Sequence, residues 1–173
     1  MYTFDRETIL LVKDVLDMAR EKGLMIATAE SCTGGLLAAA MTDVPGSSAV
    51  FDRGFVTYSN QAKHELLGVP MELIETHGAV SEQVARAMAE GALAHSRADI
   101  TVSITGIAGP TGGTPEKPVG LVHFASAARD GETIALRETF GNLGRQGVRQ
   151  AAMMTALHLL RQQMEENYPP TVV

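Results

Sequence analysis

Apolar residues return every three to four positions from Thr8 to Lys22, placing Leu11, Val12, Val15, Leu16, Met18 and Ala19 on one side of a helix that Gly23 ends. The period then changes. "LMIATA" reads as a short buried strand, and after Thr33-Gly34-Gly35 the run "LLAAAM" is helical until Asp43, Pro45 and Gly46 break it. "VFDRGFVTY" has strand composition, with Gly54 marking an expected bulge. Asn60 is expected to cap a helix from Gln61 to Leu67 that Gly68 closes. Ser81 should cap a helix reaching His95, with Val84, Met88 and Ala92 spaced by four. The β-branched run "DITVSIT" ends in the loop "GIAGPTGGTPEKP". "VGLVHFASA" and "TIALRETF" then flank an Arg129-Asp130-Gly131 turn as a hairpin. A last helix runs from about Arg145 to Glu166, with a fraying "YPPTVV" tail after it. Helices between early strands and a late hairpin predict an α/β protein, a three-layer α/β/α sandwich on a mixed, mostly parallel sheet. One domain is expected over 1–173, with its core at about 8–166 and a flexible tail at 167–173.

Composition narrows the classes. The chain has 173 residues, 45% hydrophobic and 20% charged, which suits one folded domain. Its apolar runs fall short of the roughly 20 residues that cross a bilayer. Asp5, Glu7 and Asp14 stand where a signal peptide would be basic, so a cytoplasmic protein without membrane attachment is expected. Cys32 is the sole cysteine, and His64, His77, His95, His123 and His158 show no metal-binding spacing; neither metal nor cofactor is expected. A net charge of −6 argues against a nucleic-acid partner. A small anion remains open.

Both glycine-rich loops, "SCTGG" and "TGIAGPTGG", follow strands, and ligands of open α/β sheets bind at such carboxyl ends. Neither loop matches a nucleotide fingerprint. Ser31 sits at a strand-to-helix turn, either as a nucleophile or as an ordinary N-cap. A serine needs a base, and no histidine has the right setting. "VTYSNQAK" offers Lys63 on the first turn of a helix, with Tyr58 at the strand end to relay a proton or hold the lysine. Lys63 serves only if burial lowers its pKa from ~10.4 towards ~7–8, at a cost of about 4 kcal/mol. Cys32 is the rival nucleophile and ranks behind Ser31, since a small thiol in that place is ordinarily core.

The stretches "AESCTGGLLAAAMTDVPGSSAVFDRGFVTYSNQAK", "HGAVSEQVARAMAEGA" and "SITGIAGPTGGTPEKPVGLVHFA" resemble the C-terminal domain of the competence/damage-inducible protein CinA, over roughly Leu10 to Leu160. The resemblance implies a stand-alone form with nicotinamide-nucleotide amidase activity, converting nicotinamide mononucleotide to nicotinic acid mononucleotide and ammonia. It puts the family's serine, tyrosine and lysine on Ser31, Tyr58 and Lys63. On that expectation Ser31 attacks the carboxamide while Lys63, assisted by Tyr58, takes its proton. Backbone N–H groups of Thr33, Gly34 and Gly35 would form an oxyanion hole, each worth roughly 2.7–4 kcal/mol. Glu30 would balance the pyridinium ring. Thr105, Gly106 and Ser47 or Ser48 would hold the phosphate, with Arg145 supplying charge. The family commonly reads Gly-Asp-Arg before the last helix, whereas this chain has "GNLGRQGVR", which leaves the choice between Arg145 and Arg149 open. A homodimer is expected. A nucleotide-binding regulatory module without turnover and an amidase of free nicotinamide stand as alternatives.

Overall fold

The structure, a computed structural model, describes residues 4 to 172. The outermost residues of the domain expected over 1–173, including the last residue of the expected tail, lie outside the described residues. The first helix, α1 (Arg6–Lys22), begins two residues before the apolar periodicity because the Asp5 carboxylate accepts from the Thr8 N–H at 2.8 Å. Gly23 ends it in the left-handed region. Then follow β1 (Ile26–Glu30), α2 (Leu36–Thr42), a 3-10 turn (Ser47–Ala49), β2 (Phe51–Val56) and α3 (Asn60–Leu67). Asn60 is the first helical residue of α3; the cap is Ser59, whose Oγ accepts from Ala62 N–H at 3.0 Å. The helix α4 (Met71–His77), unexpected from the sequence, precedes α5 (Glu82–Ala94), which Ser81 caps. Strands β3 (Ile100–Gly106), β4 (Leu121–Ala128) and β5 (Ile134–Thr139) lead to α6 (Gly144–Asn167), which extends one residue past its expected end.

The strands form one sheet in the order β2-β1-β3-β4-β5. β1 is parallel to β2 and β3, and β4 is antiparallel to β3 and β5, so four of the five strands share one direction. The expected bulge lies elsewhere than Gly54. Ile26 pairs with Phe51 and Ala27 with Arg53, which makes Asp52 the extra residue. Gly54 instead admits α2: a Cβ there would stand 2.8 Å from Thr28 Oγ1 and 3.1 Å from Ala38 Cβ.

Helices α1, α2 and α6 cover one face of the sheet and α3, α4 and α5 the other, which makes three layers. β3 shows how its sequence meets both. Ile100, Val102 and Ile104 alternate into the core under α1 and α6. Thr101 and Ser103 face α5, donating to the Ala89 and Ala85 carbonyls at 2.7 and 2.6 Å, while Thr105 donates to Ala79 O at 2.8 Å. The alanines Ala85, Ala89, Ala125 and Ala127 complete this close helix-to-sheet contact. None of the described helices is long and apolar enough to cross a membrane.

Candidate active site

Two neighbours fix where β1 ends. The Ser31 N–H donates to Ile104 O at 2.9 Å, and the Thr57 N–H to Glu30 O at 2.8 Å. Serine 31 therefore emerges between the carboxyl ends of β2 and β3. Across from it, α3 carries Lys63 in its first turn, with the amine turned inward at 1% exposure. Its Nζ lies 2.9 Å from Ser31 Oγ and donates to the Thr57 and Tyr58 carbonyls at 2.8 and 3.2 Å. The link from β2 to α3 folds those two carbonyls back over the helix that follows them. No carboxylate pairs with the amine among the described residues. Burial accordingly pulls its pKa from 10.5 down to about 8. A neutral amine has two N–H groups and one lone pair. The protonated amine donates to Ser31 Oγ as well, whose own hydroxyl reaches Tyr58 O at 3.5 Å; once neutral, the amine spends its two N–H groups on the two carbonyls and can turn its lone pair to the Ser31 hydroxyl.

Burial acts oppositely on Cys32, pushing its thiol up to about 11. The Ser31–Lys63 pair opens into a cleft of about 350 Å³, lined also by Cys32, Thr105, Gly106 and Arg145. Arg145, in the first turn of α6, donates to Gly109 O at 2.8 Å and to the Tyr58 hydroxyl at 3.2 Å, and it has no carboxylate partner among the described residues. Arg149 lies one helical turn deeper. Its guanidinium is committed to the Cys32 and Thr33 carbonyls at 3.2 and 3.1 Å and does not line the cleft.

Several expected site residues are placed otherwise. The Glu30 carboxylate turns under α2, accepting from the Leu37 and Ala38 N–H groups at 2.9 and 3.1 Å; the orphan donors of that helix start claim it, and it does not line the cleft. Ser47 and Ser48 sit at the opposite end of the sheet, beside the start of β2, because the parallel strands β1 and β2 carry the chain away from them. Thr33, Gly34 and Gly35 lie behind Ser31, and the Gly34 N–H is taken by Ser31 O at 3.0 Å. Tyr58 is 62% exposed; its carbonyl contacts Lys63 and its hydroxyl contacts Arg145. Thr105 reaches the cleft with its proton committed to Ala79 O. Gly106 is required by strand pairing, since a Cβ would stand 2.7 Å from Val122 Cγ2. Among the described residues no group of three His, Cys, Asp or Glu could hold a metal ion.

Comparison with known proteins reaches the same stretches of chain. The sequence model of the CinA C-terminal domain matches residues 9–164. The chain belongs to the CinA C-terminal domain family. A competence-damage inducible relative from Symbiobacterium thermophilum is 54% identical over 168 residues; the alignment takes in 93% of this chain but only 39% of that protein. The nicotinamide-nucleotide amidohydrolase PncC of Escherichia coli K12 is 52% identical over 163 residues, 94% of this chain and 98% of the relative. Among solved structures, the competence/damage inducible protein CihA from Agrobacterium tumefaciens is 51% identical with a TM-score of 0.91, over 94% of this chain and 98% of that one.

Within this CinA domain, sequence reasoning passed over the carbonyls of Thr57 and Tyr58, which hold the lysine, and the cleft wall at Ala79 and Val80. Main-chain atoms leave no mark on residue identity. Ala79 and Val80 follow α4, the helix that also went unseen.

Proposed function

We propose that this protein hydrolyses the carboxamide of nicotinamide mononucleotide to nicotinic acid mononucleotide and ammonia, with Ser31 as nucleophile and Lys63 as base. One observation carries the reading: a buried amine whose two other partners are neutral carbonyls stands 2.9 Å from a serine hydroxyl inside a cleft. Ser31 Oγ bonds to the carboxamide carbon as its proton passes to Lys63. The tetrahedral intermediate then collapses, the C–N bond breaks, and Lys63 returns the proton to the departing nitrogen, which leaves as ammonia. Water attacks the resulting ester, giving its proton to Lys63, and the Ser31–acyl bond breaks with Oγ reprotonated. For the oxyanion we assign the main-chain N–H of Cys32, the cleft-lining residue that follows the nucleophile; among the described residues this N–H donates to no main-chain carbonyl.

The protonated Cys32 thiol is a poor nucleophile beside this pair. Of the two roles expected for Tyr58, relaying a proton or holding the lysine, its main-chain contact with Lys63 supports the second. Arg145, bonded only to neutral acceptors, is the cation for the substrate phosphate. We further propose a cytoplasmic homodimer; sedimentation of the purified chain tests its oligomeric state.

Ammonia release from nicotinamide mononucleotide by wild type and by Ser31→Ala tests the function. Wild-type turnover, lost by more than roughly a thousandfold in Ser31→Ala, is expected. Equal or better turnover of free nicotinamide would remove the phosphate site. Tight nucleotide binding without turnover would make the protein a regulatory module instead.

A further inference from the structure

The cleft is closed on one side by the loop between β3 and β4, whose Ile107, Ala108, Gly109, Thr111 and Gly112 line it, and on another by the turn at Ala79 and Val80. These walls belong to different parts of the chain. The loop is a tight unit: Ile107 N–H donates to Leu121 O, Gly120 N–H to Ile107 O, and Thr114 N–H to Lys117 O, at 2.8 to 2.9 Å. It doubles back so closely that a Cβ on Gly109 would stand 2.5 Å from Val119 Cγ1, and one on Gly113 2.7 Å from Val119 N. A rigid loop has to be docked by something outside itself. On the α6 side Arg145 does so by donating to Gly109 O. On the other side the contact is Lys117, whose Nζ donates to His77 O at 2.6 Å across 40 residues of chain.

That bond meets a turn fixed at three successive carbonyls. Lys117 holds His77 O, Ser81 Oγ holds Gly78 O at 2.8 Å, and Thr105 Oγ1 holds Ala79 O at 2.8 Å. Ser81 and Thr105 tie the turn to the start of α5 and to β3; among the described residues Lys117 alone ties it to the loop by a hydrogen bond. Its approach is close, since a Cβ on Gly78 would stand 2.8 Å from Nζ. Lys117 does not line the cleft, and among the described residues it makes no ion pair.

We infer that Lys117 is a positioning residue, a strut that sets the distance between the two substrate-facing walls without touching substrate. The inference rests on the amidase reading for its kinetic consequence. Ser31 follows the end of β1 and Lys63 lies on α3, neither of them in the two segments the strut joins, so loosening it loosens substrate binding and spares the chemistry. Lys117→Met keeps most of the hydrocarbon stem and removes the donor, whereas Lys117→Arg keeps a donor of similar reach.

The test compares wild type, Lys117→Met and Lys117→Arg in steady-state amidase kinetics and in amide hydrogen exchange. Lys117→Met is expected to raise KM on the order of tenfold with kcat within about twofold, and Lys117→Arg to recover most of the loss. The same fold-change is expected with nicotinamide riboside, which lacks the phosphate. Exchange should quicken at 77–80 and 107–112 and stay unchanged at 31–35 and 60–67. A loss confined to the phosphorylated substrate would overturn the inference, making Lys117 a distant charge for the anion. No recovery in Lys117→Arg, or kcat falling in step with thermal stability, would also overturn it. If wild type fails to turn over either substrate the amidase reading falls, and the exchange comparison still decides the strut: quickening confined to those two segments upholds it, and unchanged exchange there overturns it.

Discussion

Lys63 allows the sharpest test, because under the proposed mechanism one buried amine governs both a rate and a stability. Moving its pKa from 10.5 to about 8 favours the neutral form by roughly 3 kcal/mol. At pH 7 about a tenth of the molecules then hold the free base, against about 0.03% for an ordinary lysine, roughly a 300-fold gain. Below pH 8 both the folded and unfolded chains carry the proton, and the fold bears the cost of burying a charge. Between 8 and 10.5 the unfolded chain binds the proton and the folded one does not. Stability therefore rises with pH across that window by up to about 3 kcal/mol, and it is lost again as pH falls through 8. Urea unfolding of wild type and Lys63→Met at pH 7, 8, 9 and 10 isolates this amine, because other titrating groups contribute alike to both proteins. Wild type should gain on the methionine variant over that range. In parallel, kcat/KM should climb about tenfold per pH unit below 8 and level above it. Parallel stability curves, or a rate still climbing at pH 10, would refute the claim that this cleft dries the amine.

Two other substitutions probe the surroundings. Cys32→Ala should keep kcat/KM within about threefold and cost about 1 kcal/mol from a small buried cavity; abolished turnover with intact Ser31 would move the nucleophile to sulfur. At Gly91 in α5 a Cβ would stand 2.0 Å from Leu67 O, so Gly91→Ala should cost 1 to 3 kcal/mol, roughly, and push on the helix that carries Lys63. Thermal melts would show the drop and the ammonia assay a reduced kcat, whereas an unchanged melting temperature would contradict that contact.

How far could the chain be read unaided? Local signals served wherever the deciding physics is local. The 3.6 period of α1, the serine before α5 and the Arg129-Asp130-Gly131 turn each specify backbone within a few residues of themselves, and the elements stand where those signals put them. The misses are also local. Asp5 and Ser59 outcompeted the expected helix starts by offering a better acceptor to free N–H groups. α4 is only seven residues long, too short to show a clear period, with a single buried side chain, Ile74.

The site divides along the same line. Residue types and their family pattern singled out Ser31, Tyr58 and Lys63 and left Arg145 and Arg149 as rival cations, because hydroxyls, an amine and a guanidinium are chemistry that identity alone declares. Whether Lys63 is an ordinary surface cation or a buried base depends on dielectric and distance. Those were set when β1, β2 and α3 closed around it. Glu30 was drawn to the start of α2 seven residues on, and Arg149 was spent on two loop carbonyls that the fold brings from more than a hundred residues away. Sequence fixes what each group is able to do; only packing, by removing water and choosing neighbours, settles which of them does it.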